Sequence, residues 1–196
     1  ELSYDAGLVD LFLHPIDRGY TVESCLDYVE SCGMTLQGWV ESRLYYPEGQ
    51  VQPNTVLWKM LNLLPEPERW KAMELFNGGI SKHLFYVCHQ ERPIHSYRIQ
   101  FEDEQFLDYI PRRRVLRANQ PEPASIGNWL DAPATGSEHA NLINRLFSLI
   151  GGQNTVRDCL EQAALPGSHE QITEYVRQVF QTLWRMEYVM FNIPAV

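Results

Sequence analysis

Residues 8–48 read LVDLFLHPIDRGYTVESCLDYVESCGMTLQGWVESRLYYPE, and the organisation of the chain is argued outward from them. Thr21 stands where a helix N-cap is wanted, ahead of Val22, Cys25, Leu26, Val29 and Cys32 at helical spacing. Gly33 follows, a residue suited to the left-handed position that closes a helix. The spacing predicts a helix here, then an extended segment over Met34–Tyr46 with Gly38 as a possible bulge.

Downstream, Val56, Leu57, Met60, Leu61 and Leu64 mark a short amphipathic helix ending before Pro65. A second helix opens near Pro67, carries Trp70, Met73 and Phe76, and stops at Gly78–Gly79. Leu84–Cys88 is a continuous apolar run, the pattern of a strand covered on both faces in the middle of an α/β sheet. Tyr97–Phe101 offers one more strand, and Asn119–Gly136, rich in Pro, Gly, Ala and Asn, reads as an irregular connector. The C-terminal part is sharper. Ala140–Ile150 has one apolar helical side, and Thr155 with Asp158 resembles a capping box. Ser168 with Gln171 forms a second box, opening a long helix through Trp184, and Tyr188–Ile193 alternates as a terminal strand. Three helices followed by a strand in about sixty residues outline a winged helix.

Composition narrows the function. The 196 residues are 44% hydrophobic and 12% aromatic, too apolar for a disordered chain and enough for a real core. The net charge is −9, concentrated in residues 1–50, where nine acids meet two bases. That sign is opposite to a generic nucleic-acid or anionic-membrane binder. The long C-terminal helix sets Arg177 and Arg185 against Glu170 and Glu174, with Glu187 just beyond, which argues against phosphate binding and so against nucleic acid as a partner. No apolar run approaches the roughly 18 residues of a membrane span. Cys25, Cys32, Cys88 and Cys159 include no close pair, so reduced buried thiols are expected and a zinc site is not. With no signal-peptide pattern, a cytoplasmic location is expected, and a chain starting at Glu1 reads as a segment of something longer.

Candidate chemistry is sparse, and no residue earns a catalytic role. The densest polar cluster precedes the first helix: His14, Asp17, Arg18 and Tyr20. There His14 suits a general base and Arg18 an anion clamp, or else Asp17 and Arg18 merely pair in a turn beside a packed Tyr20. His83, His89 and His95 recur every six residues without a carboxylate partner at useful spacing, so no metal is assigned. Arg112–Arg114 with Arg117 is the one basic run, flanked by acids and read as solvated or internally paired. Gly78–Gly79 and Gly151–Gly152 follow helices and match no phosphate loop.

Asp10, Phe12, Leu13, His14, Pro15, Asp17, Arg18, Tyr20, Thr21 and Val22, then Cys32–Gly33, Trp39 and Tyr46–Pro47–Glu48, carry a resemblance. The stretch resembles a region late in bacterial class I S-adenosylmethionine-dependent methyltransferases. The resemblance implies that residues 1–94 are the C-terminal part of a doubly wound α/β methyltransferase sheet. Residues 95–136 would be a connector and 137–196 a winged-helix-like, regulatory or interaction domain. It also implies a cofactor, S-adenosylmethionine, gripped by a glycine-rich loop with no counterpart here, so this chain alone is not expected to bind it. His14, Asp17, Arg18 and Tyr20 would lie on the acceptor side of the pocket. Partners would be the catalytic core of the same protein, a second copy, and an unspecified methyl acceptor. A non-catalytic protein-interaction module is the competing reading.

Overall fold

The computed structural model describes residues 18–115, 121–130 and 137–193, without the side chains of 137–139. The fold is mixed α/β. The first helix, α1 (Val22–Ser31), begins where expected, with Thr21 and Ser24 exchanging hydrogen bonds as a capping box. Gly33, at φ 68°, lets the chain reverse directly into β1 (Met34–Trp39). The extended backbone ends at Trp39 rather than Tyr46, because residues 42–45 wind into a short 3-10 turn. Two helices follow, α2 (Val56–Leu63), capped by Thr55, and α3 (Glu66–Asn77), closed by Gly78 at φ 57°.

The strand β2 (Phe85–His89) corrects the sequence reading. It pairs antiparallel with β1, with the register shifting between Leu36 and Gly38, and this sheet has two strands. Only Cys88 of β2 is buried, while Tyr86 and Val87 face outward. The parallel, doubly covered arrangement expected for residues 1–94 is not formed by the described residues. An apolar run reports affinity for cover without saying what supplies it. Tyr97–Phe101 pairs with no strand among the described residues. A strand not foreseen, β3 (Ile110–Arg113), pairs antiparallel with β4 (Val189–Asn192) in a second two-stranded sheet.

The three expected C-terminal helices are present: α4 (Ser137–Leu149), α5 (Val156–Ala163) and α6 (His169–Arg185), the last two with complete capping boxes. They enclose the largest core, which also takes Phe101, Phe106, Leu107, Tyr109, Ile126 and Leu130 from the stretch between 95 and 136. A smaller core gathers Val22, Leu36, Trp39, Tyr45, Tyr46 and Trp70. Trp184 packs against both, so the end of α6 is where the N-terminal and C-terminal regions meet. Cys25, Cys88 and Cys159 are buried free thiols, but Cys32 is exposed, since it caps α1 on the solvent side.

Candidate functional site

A groove of about 1020 Å³ runs between these regions. Its walls are the end of α2 and start of α3, the 98–102 segment, Trp129, and one polar side of α6. The groove wall is organised by charges brought together from distant parts of the chain. Arg185 reaches from the last turn of α6 to Glu48, 2.7 Å from Nη1 to Oε1, and also donates to Asn62 Oδ1 at 3.1 Å. The Arg185 guanidinium lies 5.0 Å above the Tyr46 ring. The Tyr46 hydroxyl donates to Glu66 Oε1 at 2.5 Å, and the other oxygen of Glu66 holds Arg98. Burial pushes the Tyr46 phenol up, and Glu66 alongside adds to this, so it remains a donor. Burial works against the Arg185 cation, yet Glu48 and its neighbours outweigh it and hold its pKa above the ordinary value.

Arg69 serves the same wall differently. Its Nε donates to Leu61 O at 3.0 Å and its Nη2 to Asn62 O and Leu64 O, both at 2.9 Å. It thereby satisfies carbonyls that the C-terminus of α2 leaves open. Burial, and then Arg185 nearby, lower its pKa.

Beyond residues 98–99 lies a smaller pocket of about 170 Å³, lined by the rings of Trp39, Tyr46, Trp70, Tyr86, Tyr97 and Trp184 with Arg98, Arg114 and Glu66. A separate chain of polar groups runs behind it. Tyr45 Oη and His83 Nδ1 are 2.8 Å apart, and His83 Nε2 lies 3.0 Å from Glu74 Oε1. Glu74 Oε2 accepts the N–H of Val22 at 2.9 Å, so this array also ties α3 to the start of α1. Glu187 forms a third junction, with Arg114 at 3.5 Å and Arg43 at 3.9 Å.

The residues singled out from sequence fall unevenly on this geometry. His14 and Asp17 lie outside the described residues. Arg18 and Tyr20 are exposed, and Tyr20 packs edge-on against Tyr28 at 6.2 Å between ring centres. Neither lines the groove or the smaller pocket. His83 precedes β2, and among the described residues no three His, Cys, Asp or Glu side chains are placed to hold a metal ion. The basic run is internally engaged: Arg113 stands 4.9 Å over Phe147 and donates to Ser148 O, and Arg114 reaches Glu187. The residues sequence reading missed are Glu66, Arg69, Arg98 and Arg185, ordinary charges until folding joins them. Tyr46, Glu48 and Trp39, which helped carry the family resemblance, do line these cavities.

No protein-family model matches the chain. Its fold is similar to that of PKMT2 from Rickettsia typhi, with a TM-score of 0.51 at 13% identity over 95% of this chain. A structure of the same protein in complex with AdoHcy gives 0.50 at 14% identity over 96% of this chain. The chain spans 39% and 38% of those two chains, so it corresponds to about two fifths of that protein. At this identity the likeness establishes a fold shared with part of a methyltransferase. Among the described residues, no helix is long and apolar enough to cross a membrane.

Proposed function

We propose that this chain is the C-terminal portion of an S-adenosylmethionine-dependent methyltransferase, supplying acceptor-side wall and a regulatory or interaction domain. The observation that carries the reading is the fold similarity, over nearly the whole chain, to part of PKMT2, a protein lysine methyltransferase also solved with AdoHcy. AdoHcy is the demethylated form of the methyl donor, so S-adenosylmethionine is the cofactor of the proposed parent. The groove supports an acceptor role: it is open, walled by Trp and amide side chains, and held in shape by the buried Arg185–Glu48 pair. Enzymes gain most in methyl transfer by fixing the acceptor in line with the donor methyl, which such a wall does.

Within this reading His14, Asp17, Arg18 and Tyr20 are acceptor-side residues of the assembled protein. In this reading residues 137–196 are the winged-helix-like unit, although the strand β4 pairs with β3, which precedes the helices. Among the described residues the β1–β2 sheet has two strands, whose outer edges suit the catalytic core of the same protein or a second copy. A cytoplasmic setting belongs to the same proposal.

A second reading, a non-catalytic protein-interaction module, draws on the outward face of α2. There Val56, Met60 and Leu63 are 75%, 62% and 84% exposed. Calorimetric titration with S-adenosylmethionine separates the two. The full protein encoded with this chain binds the cofactor in the first reading, while the 196-residue chain alone does not. A full protein that gives no heat of binding overturns the methyltransferase reading and leaves the module.

A further inference from the structure

We infer that the groove takes an extended polypeptide segment, added as a strand along Ile99. After the turn that ends at Tyr97, side chains alternate over Arg98–Phe101: Ile99 and Phe101 pack into the C-terminal core, Arg98 turns to Glu66, and Gln100 carries an amide to the groove. Yet it has no ladder partner among the described residues. In a strand, successive N–H groups point to opposite sides. The Gln100 N–H points to Tyr109 Oη at 3.3 Å, which leaves the Ile99 and Phe101 N–H groups on the other side. Phe101 is already engaged there, its N–H by Glu102 and its carbonyl by Arg177 of α6. Ile99 is not: its N–H and carbonyl make no hydrogen bond among the described residues. Unsatisfied backbone groups beside a groove are the template on which extended peptides add as strands.

The groove fits that occupant. Its volume, about 1020 Å³, stands at the upper end of the range of about 300–1,000 Å³ usual for small-molecule sites, with room for a chain segment. Its charged residues balance, with Glu48, Glu66, Glu102 and Glu174 against Lys59, Arg69, Arg98 and Arg185, so it favours no polyanion. Gln100 and Gln181 line it with amide groups that make no hydrogen bond among the described residues, and amides match a peptide backbone in both donors and acceptors. The inference rests on the acceptor-side reading for what the segment is there to do. Binding itself needs no cofactor, so its failure is separable from failure of methyl transfer.

The test selects 12-residue peptides from a random phage-displayed library on the immobilised chain and measures synthetic winners by fluorescence anisotropy. The expected winners bind at least ten-fold tighter than a scrambled control and slow amide exchange at Ile99 at least ten-fold. Ile99→Pro, which removes the N–H, weakens them ten-fold or more. Because Ile99 also packs on the core, Gln181→Trp, which fills the groove from α6, provides a second variant with the same expected loss. No winner above the control, or winners that leave Ile99 exchange unchanged and survive Gln181→Trp, overturns the inference.

Discussion

Arg185 and Glu48 are 137 residues apart in sequence and 2.7 Å apart in the fold, both largely withdrawn from solvent. The pair joins the end of α6 to the segment after β1, and Asn62 and Tyr46 complete its surroundings. Removing one partner leaves the other charged and buried, which costs about 3–5 kcal/mol in comparable settings. Arg185→Met is therefore expected to destabilise the chain by about that amount in urea unfolding. Adding Glu48→Leu to Arg185→Met is expected to recover part of the loss. Single and double variants that add independently would show that the pair is not coupled.

Glu187 sits at φ 63°, just past the end of α6, where glycine is the usual residue. A glutamate is retained there because its carboxylate meets Arg114, Arg43 and the Ser42 hydroxyl, while it remains only 3% exposed. Glu187→Gly would relieve about 1 kcal/mol of backbone cost but remove these ties. The expected result is a net loss of stability for Glu187→Gly and a loss for Glu187→Gln as well. A more stable Glu187→Gly protein would mean that the carboxylate contributes less than the backbone cost it imposes.

His83 bridges Tyr45 and Glu74. His83→Leu leaves the buried Tyr45 hydroxyl without its partner, at about 1–3 kcal/mol for an unsatisfied buried group. Loosening of Glu74, which also holds the Val22 N–H, is expected to speed amide exchange at the start of α1. Unchanged exchange at Val22 would place the histidine outside this tie.

The alkaline limb of stability follows from two buried acids. Burial, helped by Asp158, pushes the Cys159 thiol from 9.0 up to about 11, and burial takes the Tyr175 phenol from 10.0 up to about 12. Both stay protonated in the folded chain after the unfolded chain has released its proton. Their contribution is thus complete below about pH 9 and is lost as pH rises through about 11 and then about 12. Urea midpoints measured from pH 7 to 11 should fall above pH 9, and less so in Cys159→Ala. Midpoints level to pH 11 would contradict the assignment.

The helices were legible because their signals are local. Thr21, Thr155 with Asp158, and Ser168 with Gln171 all cap as their spacing indicates, and Gly78 ends α3 in the left-handed conformation. Strand partners were not legible. Phe85–His89 has the composition of a central strand, but only long-range pairing decides which face is covered. The strand β3 was hidden by Pro111 and its arginines; it forms because Arg113 and Arg114 find Phe147, Ser148 and Glu187 once the C-terminal helices are packed. The groove was the least legible, since Glu48, Glu66, Arg98 and Arg185 follow no periodicity.

The acceptor-side assignment is tested most directly by tritium transfer from labelled S-adenosylmethionine into a heat-treated cell extract. The full protein would be compared with a form lacking these 196 residues. The account predicts that the shortened protein keeps its affinity for the cofactor within about two-fold, a change worth less than 1 kcal/mol, yet transfers no label. A shortened protein that still labels the extract at the full rate would contradict it.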